Sequence, residues 1–164
     1  MIEIVRAEAA HVDGIVERWI ELMDYHAARD SLFARSEDAH VGFGEYLAEA
    51  MTKPTALVLV ALDGPSVVGY ALCMINTLPP VFAKREYGFI SDLAVAPAYR
   101  KRGIGTALME KTVDWFLAQG IDRVELRVAA FNEIGLSFWR SSGFEEHVYV
   151  MDRMIGPKKL PHRA

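Results

Sequence analysis

The feature that most constrains the fold is a series of three strand-like segments in the middle of the chain, at residues 55–62, 67–75 and 87–95. Each segment is rich in β-branched and apolar residues, as in TALVLVAL and YGFISDLAV, a composition typical of buried strands. The turn sequence DGPS at residues 63–66 joins the first two segments and predicts a β-hairpin. A sheet is therefore expected at the centre of the molecule.

Helical and extended patterns flank this block on both sides. We predict the following further elements: a strand at 2–6, helices at 9–28 and 37–51, a helix at 104–119, a strand at 123–128, a helix at 133–141 and a last strand at 144–154. The resulting order, β-α-α-β-β-β-α-β-α-β, contains no internal repeat and predicts one mixed α/β domain over residues 1–155. A short flexible tail is predicted at residues 156–164.

Composition excludes several classes of function. With 18 basic and 22 acidic residues among 164, the chain has a net charge of −4, which argues against general nucleic-acid binding. The single cysteine, Cys73, cannot form an internal disulfide, which favours a cytoplasmic location. We see no signal peptide and no apolar run long enough for a membrane span. The histidines and the cysteine lack metal-ligand spacing, so no metal is expected.

The stretch AYRKRGIGTA, residues 98–107, places three cations directly before a Gly-x-Gly. It follows a predicted strand and begins a predicted helix, and a helix N-terminus carries free N–H groups and a positive dipole end. The glycines permit close backbone approach, and the cations add charge-assisted hydrogen bonds. We therefore predict a site for a small anion, with a solvated basic loop as the alternative. The Walker and Rossmann spacings are both absent.

A second cluster of motif residues, NEIGLSFWRSSGF, occupies residues 132–144. Asn132 lies between a strand and a helix, where an N-cap is expected, although its amide is also suited to contacting a ligand. Phe138 and Trp139 by themselves are most simply interpreted as core residues.

Together the two motifs resemble the GNAT superfamily of N-acetyltransferases over residues 87–144. The matching pattern is LAV-x-P-x-x-R-x-x-G-x-G followed by N-x-x-G-x-x-F-W-x-x-x-G-F. The resemblance implies a mixed, mostly antiparallel central sheet with splayed middle strands and helices on both faces. It also implies transfer of an acetyl group from acetyl-CoA to a primary amine of a small molecule or a protein, and it makes a homodimer plausible.

The resemblance assigns most of the acetyl-CoA contacts to the two motifs. The pyrophosphate would rest on the turn formed by Arg100, Lys101, Arg102, Gly103, Ile104, Gly105 and Thr106. The pantetheine arm would pair with the strand backbone at Leu93, Ala94 and Val95. Asn132 would contact the arm from its other side.

The chain departs from the family pattern at Trp139, where a tyrosine is often the proton donor to the departing thiolate. An indole N–H cannot act as a general acid near neutral pH, so Trp139 is expected either to pack against the pantetheine arm or to belong to the core. Because this tyrosine is missing, a non-catalytic acyl-CoA-binding module is the alternative function. Gly135, where the family often has alanine, is expected to be a harmless change.

Three residues are candidates for catalysis: Asp92, His26 and Tyr87. If Leu93 faces one side of its strand, then strict alternation places Asp92 on the other side with Ile90 and Ala94, beside the expected acetyl group. His26 ends the first predicted helix, and histidine titrates near neutrality; the alternative is a histidine that the helix dipole favours at a C-terminus. For Asp92 and Tyr87 the alternative is a surface group without a catalytic role. The backbone N–H near Leu93 is expected to stabilise the oxyanion.

Overall fold

The computed structural model describes residues 1–156, so the predicted tail lies outside the described residues except for its first residue. Three short 3-10 turns accompany strands and helices with the following bounds: β1 Ile2–Arg6, α1 Val12–Ala27, α2 Ala39–Thr52, β2 Ala56–Asp63, β3 Ser66–Thr77, β4 Glu86–Val95, α3 Ile104–Ala118, β5 Val124–Leu126 and α4 Glu133–Ser141. Apart from the last strand, every predicted element is present, and α4 has the predicted bounds.

The five strands form one sheet in the order β1-β2-β3-β4-β5. The first four strands are antiparallel, whereas β4 and β5 are parallel. Strands β4 and β5 pair only where Gly88, Phe89 and Ile90 lie opposite Val124–Leu126. Beyond Ile90 no further pair joins the two strands. The sheet is mixed and mostly antiparallel, as predicted, and the pairing of its strands β4 and β5 ends where splaying was expected.

The β3–β4 ladder contains a bulge at Ser91. Leu72 lies opposite Asp92 and Cys73 lies opposite Ile90, so Ser91 has no partner across the ladder. A bulge of this kind reverses the alternation of side chains along its strand. Ile90 therefore belongs to the same core layer as Leu93, and the prediction that Ile90 shares a face with Asp92 was wrong.

Helices cover both faces of the sheet, as predicted. On one face α3 packs Leu108 and Phe116 against the sheet, and α4 adds Trp139 at the edge of this layer. On the other face α1 and α2 pack Ile15 and Leu47 against it. Burial of these apolar side chains is the main favourable term for the fold.

The predicted last strand at 144–154 is absent. Residues 145–156 are exposed and form no helix or strand, because a strand needs a neighbouring strand to satisfy its backbone hydrogen bonds and none of the described strands lies beside this segment. Strand β5 is also shorter than the predicted 123–128. Within residues 1–156 no helix combines the length and the apolar character that crossing a membrane requires.

Candidate functional site

The backbone of β4 presents N–H groups on the side where its pairing with β5 ends. The N–H of Ala96 donates to the carbonyl of Val68 on β3, with an N···O distance of 2.8 Å. Because alternate residues of a strand point their backbone groups the same way, Ala94 also faces β3, whereas Leu93 and Val95 face away from it. Of the three predicted strand contacts, only Leu93 and Val95 offer an N–H to the open side.

The turn between β4 and α3 has the backbone geometry of an anion-binding loop. Lys101 has a φ of 58° and Gly103 a φ of 79°. The N–H groups of Ile104, Gly105 and Thr106 at the start of α3 donate to no described residue. A Cβ on Gly103 would meet no atom within 4 Å, so glycine is favoured there by its left-handed backbone and not by lack of space.

The three cations of the turn have different surroundings. The Arg100 Nε donates to the carbonyl oxygen of Val95 at 3.0 Å, which ties the turn to the end of β4. The Arg102 guanidinium lies 5.2 Å from the ring centroid of Tyr99, and Lys101 is exposed. Lys101 and Arg102 therefore supply positive charge beside the unpaired N–H groups, while Arg100 positions the turn.

The second predicted motif lies against the first. The Asn132 Oδ1 accepts a hydrogen bond from the N–H of Gly135 at 3.0 Å, which caps α4, and lies 3.5 Å from the Tyr25 hydroxyl. The Phe138 ring lies 3.4 Å from the position that a Cβ on Gly105 would take. The structure thus brings the start of α3, the start of α4 and the end of α1 to one place.

Gly135 lies against the side-chain amide that caps α4. A Cβ at position 135 would lie 2.6 Å from the Asn132 Nδ2, a separation that forces the amide to move. An alanine at position 135 would therefore require the Asn132 side chain to shift, and the interpretation of Gly135 as a harmless change stays a prediction.

Trp139 packs as a core residue at the edge of the α3 layer. Its ring centroid lies 4.9 Å from that of Phe138 and 5.2 Å from that of Phe144. These contacts correspond to the core interpretation of Trp139, and a contact with the pantetheine arm stays a prediction.

Asp92 lies next to Leu93 and points to the opposite face, the layer of α1 and α2. Burial raises the pKa of its carboxyl from 3.8 to about 6. Tyr70, on the neighbouring strand, belongs to the same layer and is fully buried, and its hydroxyl has no hydrogen-bond partner among the described residues. Burial, and then the charge of Asp92, raises the pKa of the Tyr70 phenol. Sequence reasoning missed Tyr70, which looks like one more apolar residue of β3.

His26 lies in an aromatic cluster at the end of α1. Its Nδ1 is 2.7 Å from the carbonyl oxygen of Leu22. Because a carbonyl only accepts, Nδ1 carries the proton and Nε2 is left as the basic nitrogen of the neutral ring. Its ring centroid lies 5.2 Å from that of Phe33 and 5.7 Å from that of Phe131. Sequence analysis gave no role to Phe131, which lies in the loop before α4.

Tyr87 is not brought to this site. It lies six residues before Leu93 on β4, a separation of about 20 Å along a strand. Its hydroxyl is 3.5 Å from the Asn76 Nδ2.

A cavity of about 190 Å³ lies near Asn76 and is also lined by Tyr46 and Lys53, but by no predicted site residue. Among residues 1–156 no group of three or more side chains is arranged to hold a metal ion.

Comparison of sequences finds N-acetyltransferases that are similar to this chain. An uncharacterized N-acetyltransferase of Archaeoglobus fulgidus is 30% identical over 140 residues, which is 85% of this chain and 90% of that protein. An uncharacterized N-acetyltransferase of Methanocaldococcus jannaschii is 38% identical over 83 residues, which is 51% of this chain but only 36% of that protein.

Solved structures show the same fold. The BH1408 protein of Bacillus halodurans, in a tetramutant form, superposes with a TM-score of 0.84 at 24% identity, covering 93% of this chain and 99% of that one. A predicted acetyltransferase of Clostridium acetobutylicum, crystallised with acetyl-CoA, gives a TM-score of 0.77 at 16% identity, covering 94% and 97%.

The comparison with protein families agrees with the geometry of the site. Residues 16–144 match the model of the Acetyltransferase (GNAT) family. This match covers more than half of the chain and includes β4, its turn and α4. The chain therefore belongs to the GNAT family of acetyltransferases.

Proposed function

We propose that the protein transfers the acetyl group of acetyl-CoA to a primary amine of a small molecule or a protein. The observation that carries the proposal is the open side of β4, where Leu93 and Val95 turn their backbone groups away from β3, directly before the positively charged start of α3. A ligand with an amide-containing arm and a diphosphate has the chemistry to pair with both features.

The residues of the turn and the strand fit the two ends of this ligand. The diphosphate would accept hydrogen bonds from the N–H groups of Ile104, Gly105 and Thr106, with Lys101 and Arg102 supplying charge. The pantetheine amides would pair with Leu93 and Val95 as an added strand. The acetyl-CoA complex of the Clostridium acetobutylicum protein supports this choice of ligand.

When bound, acetyl-CoA supplies an activated thioester carbonyl. An alkylammonium has a pKa near 10 and must lose a proton before it attacks this carbon. The N–H of Leu93 is suited to donate to the carbonyl oxygen as its negative charge develops. The new bond from the amine nitrogen to the acetyl carbon is completed as the carbon–sulfur bond breaks, and the CoA thiolate leaves and takes up a proton from water. Holding both reactants in one cleft also lowers the barrier.

Asp92 is the first candidate for the base. It adjoins Leu93 in sequence, and its pKa of about 6 leaves it ionised at neutral pH yet far more basic than an ordinary carboxylate. His26 is the second candidate, since the hydrogen bond at Nδ1 leaves Nε2 available to accept a proton.

Calorimetric titration with acetyl-CoA, with adenosine diphosphate as the control ligand, tests the proposal first. A panel of polyamines, aminoglycosides and lysine-containing peptides then tests turnover by release of the CoA thiol. Cys73 is buried and burial raises its pKa to about 12, so its thiol should not react in this assay.

Each result leads to a different conclusion. Binding with turnover supports the acetyltransferase. Saturable binding without turnover for any amine indicates the acyl-CoA-binding module instead. Absence of binding overturns both functions.

A further inference from the structure

Tyr70 of β3 is a fully buried residue whose hydroxyl the proposed function leaves unused. It is among the largest fully buried side chains of the protein, and its hydroxyl oxygen has no hydrogen-bond partner among the described residues. An unsatisfied buried hydroxyl costs stability, and most buried polar groups in proteins are paired. Phenylalanine would fill nearly the same space without that cost, so packing alone does not account for the hydroxyl.

The register of the β3–β4 ladder places Tyr70 beside Asp92. Tyr70 lies opposite Ala94, and Leu72 lies opposite Asp92. Because residues two apart on a strand share a face, Tyr70 and Asp92 are diagonal neighbours on the face that α1 and α2 cover. Diagonal neighbours lie about 7–8 Å apart, within reach of aromatic and long side chains. The charge of Asp92 raises the pKa of the Tyr70 phenol, which supports this proximity.

The Asp92 carboxyl lacks a donor, just as the Tyr70 hydroxyl lacks an acceptor. Burial accounts for the raised pKa of Asp92, and no hydrogen bond or cation from the part of the chain that the structure describes acts against it. A carboxylate accepts several hydrogen bonds, and a phenol donates one. The two groups do not bond directly, but a bound water can join polar groups that are too far apart for a direct bond.

The other charged groups near this layer do not act on the pair. Helical spacing from the buried residues of α1 and α2 places four charged or titratable side chains on the sides of these helices that face the sheet: Arg18, His26, His40 and Tyr46. In the same layer β2 contributes apolar side chains. None of the four is a cause of the raised pKa of Tyr70 or of Asp92. Asp92 is therefore the charged group that Tyr70 senses.

We propose that Tyr70 is a positioning residue for Asp92, with its hydroxyl donating to one bound water that in turn donates to the Asp92 carboxylate. The two hydrogen bonds fix the direction of the carboxylate and favour its ionised form. A base must be ionised before it accepts a proton, so this link adjusts the pH at which the base works. Its role in catalysis rests on the proposed function, in which Asp92 is the first candidate for the base.

Tyr70→Phe tests the link in the free protein, because it removes the hydroxyl and keeps the ring. The Asp92 carboxyl carbon is followed by NMR during a pH titration, and its signal is identified by its loss in Asp92→Asn. Loss of a hydrogen bond to the ionised form should raise the pKa of Asp92 by about one pH unit relative to the wild type. Tyr46→Phe, whose hydroxyl lies 3.9 Å from the Met74 Sδ, is the matched control and should leave that pKa unchanged. An Asp92 pKa that is unchanged or lowered in Tyr70→Phe overturns the proposal.

A crystal structure of the wild-type protein is an independent test that needs no variant. We expect one water within hydrogen-bonding distance of both the Tyr70 hydroxyl and the Asp92 carboxylate. A structure that shows ordered waters elsewhere in the interior but none between these two groups contradicts the link.

Turnover separates positioning of the base from a structural role. In Tyr70→Phe the acidic limb of the pH–rate profile should move to higher pH by the same amount as the Asp92 pKa, while the dissociation constant of acetyl-CoA stays that of the wild type. In the Asp92→Asn background, Tyr70→Phe should cause no further loss of turnover. A loss that is equal at every pH and in both backgrounds would show a structural role and overturn the positioning role.

The two measurements also keep this inference apart from the proposed function. If the wild type acetylates no amine, the proposed function fails, while the NMR titration still decides whether Tyr70 acts on Asp92. If the Asp92 pKa shifts but the acidic limb does not, the role of Tyr70 in the reaction is overturned and acetyl transfer is not.

Discussion

At the scale of single residues, the burial of Asp92 makes its carboxylate more basic but also lowers the stability of the fold. Its carboxyl is held largely away from water, with no positive charge among the causes of its raised pKa. Groups with strongly perturbed pKa values are concentrated at functional sites. The sequence indicated the residue, but the burial that shifts its pKa depends on the helices packed over the sheet.

We expect Asp92→Asn to lower turnover while raising stability. Loss of a general base typically costs at least 100-fold in rate. Because the folded-state pKa of Asp92 is raised, wild-type stability relative to the variant should fall as pH rises from about 4 through 6, by up to about 3 kcal/mol at neutral pH. Denaturant unfolding and pH–rate profiles measure the two effects.

Asp122→Asn is the control for that substitution, because Lys84 beside it lowers the pKa of the Asp122 carboxyl. The control should therefore not stabilise the protein, and its turnover should be unchanged. If Asp92→Asn retains full turnover together with the wild-type acidic limb of the pH profile, the base is His26 or another group.

Gly103 offers a second prediction at this scale. Gly103→Ala and Gly64→Ala both place a side chain in the left-handed region, at φ values of 79° and 57°, with no atom within 4 Å of the new Cβ. Each should cost about 1–2 kcal/mol of stability. Only Gly103→Ala should also weaken acetyl-CoA binding, by about tenfold or more, as measured by calorimetry. Equal affinities in the two variants would contradict the assignment of the turn.

At the scale of elements, the strands and helices follow from local patterns, but the faces of β4 do not. The alternation of apolar residues correctly predicted a strand there. It failed at Ile90 because the bulge at Ser91 arises in the pairing with β3, and a single sequence segment carries no record of its partner's register.

The Asn132 side chain caps helix α4 and, in the proposed function, also contacts the ligand. Asn132→Ala should cost about 1 kcal/mol through loss of the N-cap, whereas Asn132→Ser keeps a capping oxygen and should be close to wild type in stability. If Asn132 also contacts the pantetheine arm, both variants should bind acetyl-CoA more weakly in calorimetry. Wild-type affinity of the serine variant would restrict Asn132 to the cap.

At the scale of the whole molecule, the candidate site joins elements from nearly the full length of the chain. It draws on α1 at Tyr25, β4 at Leu93, the start of α3 and the cap of α4. A ligand that binds across these elements stabilises only the native assembly.

Acetyl-CoA should therefore raise the melting temperature of the intact protein. At a hundredfold excess over the dissociation constant, the expected gain is about 2.7 kcal/mol, or roughly 5–10 °C for a chain of this size. Scanning calorimetry measures this shift, with adenosine diphosphate as the control. An unchanged melting temperature at saturating acetyl-CoA would argue against binding to the folded state.

The sequence by itself determined the order of elements, the glycine-containing turn before α3 and the family resemblance, because periodicity and backbone preferences are local properties. Only the tertiary structure decided which N–H groups of β4 face the open side, that Asp92 is desolvated, and that the Asn132 amide lies against Gly135. Each of these depends on neighbours that are distant in the chain, and hydrogen-bond pairing, burial and steric contact are properties of those neighbours.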